Sequence, residues 1–284
     1  MSTRPSDKYG RSAGVDLAKA LATAGLYIFG VDDAARQVPD VPREQVLYLL
    51  KVLTDAGWIV RLRRGLYAGT GQLPGGVDVP PFVLATALIS PSRAAIALWS
   101  ALAHHDLTDQ VPVVVTAITP RKVVTPSMRA GQKSGGRHVW LVAGIECQFV
   151  TLSEKRYGIG LQRAWIDERF PFSITDRERT VLDTFAMPRR FGGIGEGLAV
   201  LDRALDTLDV DKLIDYALQY GSRTLVKRLG WSLQQTGVEA SVLMPLLEVP
   251  SSSYSVLDPG RPRRGRHDRR WKVIVNLGAG DGRD

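Results

Sequence analysis

The chain has a single cysteine, Cys147, among its 284 residues. One thiol cannot close a disulfide within a chain or build a cysteine-based zinc site, which fits a reducing compartment. Nowhere do about 20 apolar residues run together, the length that a membrane-spanning helix requires. The opening MSTRPSDKYGRSAG is polar and lacks the apolar centre of a secretory signal. These absences lead us to expect a cytoplasmic protein without a membrane partner. No G-x-x-x-x-G-K-S/T stretch occurs, so a Walker-type phosphate cradle is missing as well. Acidic side chains are locally scarce: residues 110–145 contain none, yet carry Arg121, Lys122, Arg129, Lys133 and Arg137.

What is present is basic charge on an otherwise ordinary globular composition, 44% hydrophobic and 23% charged. The formal charge of +8 and the pI of about 9.7 favour a polyanionic partner. Residues 261–272, RPRRGRHDRRWK, hold seven Lys or Arg against Asp268 alone. Arg263, Arg264 and Arg266 in that segment are candidate phosphate contacts.

Residues 31–67, VDDAARQVPDVPREQVLYLLKVLTDAGWIVRLRRGLY, carry the clearest plan. Asp32 is placed to cap a short helix containing Ala34, Ala35 and Val38. Pro42 opens a second helix, in which Val46, Leu49, Leu50 and Leu53 recur at helical spacing. The other face holds Glu44, Tyr48, Lys51 and Asp55, with Arg43 and Gln45 near its start. Gly57 ends it. Trp58, Val60 and Leu62 then alternate with Ile59, Arg61 and Arg63, and Leu66–Ala68 returns after a tip at Arg63-Arg64-Gly65. Two short helices followed by a basic hairpin predict a winged helix-turn-helix, a module that reads duplex DNA.

The expected fold class is α+β: an N-terminal winged helix-turn-helix, then a larger mixed α/β domain with a helical second half. Residues 1–12 read as a disordered N-terminus, 13–70 as the winged helix, 71–81 as a Gly- and Pro-rich linker, and 82–284 as the second domain. Helices are predicted at 82–89 and 93–105, and strands at 113–118, 139–142, 147–152, 159–165 and 271–277. Thr175-Asp176-Arg177-Glu178 reads as a capping box, with Thr175 as cap and Glu178 reaching back. A loop at 192–197 precedes helices near 198–208, 211–220 and 222–235.

Candidate catalytic and metal chemistry is weak throughout. Gly193, Gly195 and Gly197 follow a helix rather than a buried strand, so their amides are not aimed at a pyrophosphate. Asp209 and Asp211 stand where a helix begins, and capping accounts for them. His104 and His105 end a helix and, being adjacent, point in different directions. Cys147 alternates within a strand as a small core residue would. His267-Asp268-Arg269 lacks the order of a kinase catalytic loop. The expectation is no catalytic residue, no cofactor and no metal.

Several stretches together resemble a known family. They are RRGLY (63–67), AAIALWSALAHHDLTD (94–109), ITDRERTVLDTFAMPRRFGG (174–193), GSRTLVKRLGWSLQQTG (221–237) and GRPRRGRHDRRWKVIVN (260–276). In that order they resemble the AbiEi antitoxins, transcriptional regulators of type IV toxin–antitoxin modules, over nearly the whole chain. The resemblance implies an N-terminal domain that represses its own operon at inverted repeats in operator DNA. It also implies a C-terminal domain that counters a nucleotidyltransferase-like toxin. The DNA contacts so implied are Arg43, Tyr48 and Lys51 on the second helix and Arg61, Arg63 and Arg64 on the hairpin. Thr175, Leu182, Leu229 and Gly230 take structural parts. A second class of function is a kinase-like enzyme that inactivates the toxin by phosphorylating it.

Overall fold

The computed structural model describes residues 5–70, 77–89, 93–129, 131, 138–249 and 252–278. It begins with helix α1 (Pro5–Thr23), strand β1 (Ile28–Gly30) and helices α2 (Val31–Gln37) and α3 (Arg43–Asp55). The hairpin of β2 (Ile59–Arg63) and β3 (Leu66–Gly69) follows, then α4 (Pro81–Leu88). Next come β4 (Ala95–Ile96), α5 (Leu98–His104), β5 (Val115–Thr119), α6 (Pro126–Arg129), β6 (Trp140–Val142) and β7 (Ile145–Thr151). After α7 (Glu154–Tyr157), β8 (Leu161–Trp165) and β9 (Pro171–Thr175) the chain turns helical. It runs through α8 (Arg177–Ala186), α9 (Ile194–Ala204), α10 (Val210–Tyr220), α11 (Arg223–Gln235) and α12 (Met244–Leu247). Short strands β10 (Ser255–Val256), β11 (Arg266–Asp268) and β12 (Val273–Val275) come last. The fold is α+β, with 44% helix and 19% strand.

Two compact units divide the chain. The first comprises Met1–Ala94, Val124–Gln148 and Trp165–Phe172, and the second Ala95–Val123, Phe149–Ala164 and Ser173–Asp284. The first unit thus runs past the linker drawn at 71–81, of which 71–76 lie outside the described residues. Strands β7, β8 and β9 each contribute residues to both units.

In the first unit, the apolar stripe of α3 does what its spacing predicts. Val46, Leu49, Leu50 and Leu53 are buried against Leu17 and Leu21 of α1, Ala34 of α2, and Phe29, Ile59 and Tyr67 of the strands. Each fully buried Leu or Phe contributes roughly 1.5–3 kcal/mol. The sheet order is β1-β3-β2, antiparallel throughout.

Several local expectations need correction. Helix α1 begins at Pro5, inside the stretch assigned to a disordered N-terminus. Pro42 precedes α3 rather than opening its first turn. Asp33, not Asp32, closes the start of α2 by accepting from the Gly30 amide at 2.7 Å. In β2, Ile59 and Leu62 are buried, while Trp58 just before it is 54% exposed. A bulge between Arg61 and Arg63 shifts the register there and inverts the expected alternation.

The second unit packs its helices around one apolar cluster that includes Val181, Leu182 and Phe185 of α8, Val200 and Leu201 of α9, and Leu229 of α11. Where a single helix was expected at 93–105, the chain forms β4 before α5. Strand β9 was not foreseen; it pairs in parallel with β4 at Ile174 and Ile96. Thr175 ends β9 and is buried, with its hydroxyl 2.8 Å from that of Thr180. Asp176 is the cap of α8 instead, accepting from the Arg179 amide at 2.8 Å. Helix α9 begins at Ile194, inside the stretch read as a loop. The strand expected over 271–277 shrinks to β12, which pairs with both β10 and β11.

Two features fix this core. Arg179 and Asp183, both fully buried, form an ion pair at 2.9 Å, and Arg179 also donates to the carbonyls of Arg156 and Ile159. Such a pair is weak evidence of net stability but costly to break by removing one partner. Gly230 of α11 forms a notch filled by the ring of Trp271, whose indole N–H donates to Gln234 Oε1 at 2.9 Å.

Candidate nucleic-acid interface

Helix α3 turns its buried stripe inward, so the other side faces solvent by necessity. That face carries Arg43, Glu44, Gln45, Tyr48 and Lys51, together with Leu47. Leu47 is 45% and Tyr48 46% exposed, large apolar surfaces left in water. Arg43 pairs with Asp32 of α2, and Lys51 pairs with Asp55 at 2.8 Å on its own helix. The Arg43 hydrogen bond and charge hold the Asp32 carboxyl below the usual carboxylate range. Both pairs are solvent-exposed, where an ion pair contributes about 0–1 kcal/mol. A phosphate can therefore take over either cation at little cost.

The β2–β3 hairpin sets out the other three predicted residues. Arg61 and Arg64 are exposed and Arg63 is half-buried. Arg63 Nη1 reaches the Arg64 carbonyl at 3.4 Å, while its buried Nε has no partner. Gly65 takes φ +72°, the left-handed conformation that lets the tip turn without a Cβ in the way. The six predicted residues Arg43, Tyr48, Lys51, Arg61, Arg63 and Arg64 all belong to the first unit. Asp32, whose pairing with Arg43 sequence reasoning missed, was legible only as a capping candidate.

Arg263, Arg264 and Arg266 are exposed residues of the second unit. Arg266 opens strand β11, and Arg263 donates to the Tyr254 carbonyl at 2.9 Å. The basic segment is therefore tied into a small sheet.

The discounted chemistry finds structural explanations. The carboxylate of Asp258 accepts from the Ile194 amide at 3.3 Å, so an acid occupies the start of α9 where a phosphate would have to bind. Asp209 caps α10, accepting from the Lys212 amide at 3.0 Å. His105 Nε2 lies 2.7 Å from the Thr175 carbonyl, and burial lowers the pKa of both His104 and His105. Burial pushes the Cys147 thiol up to about 12, which keeps it protonated and unreactive. Among the described residues no three His, Cys, Asp or Glu side chains are grouped to hold a metal ion. No helix among them is long and apolar enough to cross a membrane.

A network that the sequence did not announce joins α8 to α10. Lys212 Nζ meets Asp176 at 3.0 Å and Glu178 at 2.8 Å, and the Tyr216 hydroxyl donates to Asp176 at 2.8 Å. Asp176 caps α8, Glu178 accepts from the Asp209 amide, and Lys212 neutralises both carboxylates.

No protein-family model and no curated sequence matches the chain. Among solved structures, the crystal structure of the RV2827C protein from Mycobacterium tuberculosis is similar, with a TM-score of 0.62. The match covers 92% of this chain and 90% of that one at 13% identity, and at that identity the likeness is one of fold.

Proposed function

We propose that the protein is a duplex-DNA-binding repressor whose first unit works as a winged helix-turn-helix. In this reading α3 enters the major groove and the β2–β3 hairpin is the wing. The observation that carries it is the exposed face of α3, where Arg43, Tyr48 and Lys51 stand in solvent beside a basic hairpin. The order helix, strand, two helices, hairpin, with β1 closing the sheet as β1-β3-β2, supports the same reading. By its resemblance to the AbiEi antitoxins, the protein represses its own operon at inverted repeats and neutralises a nucleotidyltransferase-like toxin through its C-terminal part.

The test is gel retardation on the DNA upstream of its own gene, against random duplex of equal length. Arg43→Ala is expected to cost about 1–3 kcal/mol on the operator and less on random DNA, as removal of a guanine-reading side chain would. Equal losses on both reduce Arg43 to a backbone anchor, and no retardation by the wild-type chain refutes the reading. Co-expression with a neighbouring nucleotidyltransferase-like protein, scored by growth, tests the antitoxin part separately.

A further inference from the structure

Arg223, Lys227 and Lys272 form a group of cations in the second unit with no ion pair among the described residues. Arg223 opens α11, and Lys227 follows one turn later on the same face. Lys227 is only 5% exposed, and its ammonium donates to the Ser253 carbonyl rather than to an acid. Burial, together with the nearby charges of Arg223 and Lys272, lowers its pKa. Like charges held close to a buried lysine disfavour its charged form, and an anion nearby would offset that cost.

The small sheet adds an aromatic surface beside these cations. Ser255 stands opposite Val273, and His267 opposite Ile274. Tyr254 and Lys272 immediately precede the paired residues Ser255 and Val273. The rings of Tyr254 and His267 lie 4.9 Å apart at 30°, and Lys272 Nζ sits 5.4 Å over the tyrosine ring. Lys272 takes φ +52°, rare for a residue with a side chain, between the Trp271 ring seated at Gly230 and strand β12. Arg266, Arg269 and Arg270 are exposed in the same hairpin.

We infer that this face of the second unit binds a single strand of nucleic acid, with Arg223 and Lys272 on its phosphates, the buried charge of Lys227 behind them, and the Tyr254–His267 pair stacking on an unpaired base. An acidic peptide needs the cations but makes no use of the aromatic pair. In a duplex the bases are already stacked on one another, so only an unpaired base can use it. The inference is independent of the proposed role of α3 and its hairpin.

The test uses the full chain and a fluorescein-labelled oligouridine, read by anisotropy over a range of salt. Wild-type protein is expected to bind it with a salt-dependent affinity. Arg223→Gln with Lys272→Gln is expected to weaken binding at least about tenfold and to lower the salt slope by roughly 1.4, about 0.7 for each phosphate no longer neutralised. Tyr254→Leu is expected to weaken it about five- to tenfold with the slope unchanged. Arg63→Ala with Arg64→Ala is expected to leave oligouridine binding intact, which separates this surface from the proposed wing. If Tyr254→Leu does not fold, ultraviolet cross-linking of wild type to the oligonucleotide replaces it, with the linked peptide expected to contain Tyr254. No binding by wild type, no weakening in the folded double variant, a cross-link elsewhere, or equal competition by polyglutamate each overturns the inference.

Discussion

Gly230 illustrates how one residue can be fixed by another far along the chain. A Cβ there would overlap the six-membered ring of Trp271, which is itself 2% exposed and has no room to withdraw. Gly230→Ala is therefore expected to lower the unfolding free energy by about 1–3 kcal/mol in urea titration, an overpacking effect. A variant as stable as wild type would show that the indole moves aside freely. Glu178 gives a pH-dependent counterpart. Burial resists its ionisation, but the Lys212 ammonium and the Asp209 amide outweigh that and hold it below its ordinary 4.5. Because the folded value is the lower one, the contribution is complete above pH 4.5 and is lost as pH falls through the folded value. Glu178→Gln should cost about 1 kcal/mol at neutral pH, and that cost should shrink as pH falls below 4.5. A gap that persists in acid would contradict the ion-pair account. The motif containing Gly230 was visible in the sequence; its partner Trp271 was not, because nothing local links positions 41 residues apart.

Elements were legible where one period governed them long enough. The stripe of α3 repeats through four buried residues, so its buried face was readable directly. Strand β2 was not: a single bulge at Arg61–Arg63 reverses the phase, and a five-residue strand offers no second cycle to reveal it. Strands β10, β11 and β12 are two or three residues long, too short for any alternation to register. At α8, Thr175 and Asp176 are both good caps by chemistry, and only the burial of Thr175 in β9 decides between them. The bulge also bears on the proposed DNA contact, since Arg61 and Arg64 stand in solvent on either side of a half-buried Arg63. If the hairpin is the proposed wing, replacing Arg63 and Arg64 by alanine should weaken binding to operator and random duplex alike. The salt slope is expected to fall by about two, one for each phosphate the pair neutralises. An unchanged slope would mean that the hairpin stays clear of the DNA.

For the whole molecule, charge and fold class were legible from composition and pattern, but the division into units was not. Residues 124–148 and 165–172 return to the first unit from beyond the linker, and no local signal marks a segment that will come back. The apolar cluster around α3 nevertheless draws all its buried members from Leu17 to Tyr67. A fragment of residues 1–70 is therefore expected to unfold cooperatively by circular dichroism. Its melting temperature should be lower than that of the full chain, since it lacks the Phe170 ring that lies 4.9 Å from Tyr27. A fragment with no transition would show that the cluster needs the returning segments. Those segments also set a timetable for the nascent chain. The α3 cluster is complete once Tyr67 has left the ribosome, whereas the rest of its unit must wait while Ala95–Val123 and Phe149–Ala164 are made. Pairings that close over such spans are slow, and unpaired strand edges are adhesive until they close. A polypeptide released before Phe172 would thus carry a finished α3 cluster beside an incomplete remainder of its unit, and would be prone to aggregation or degradation.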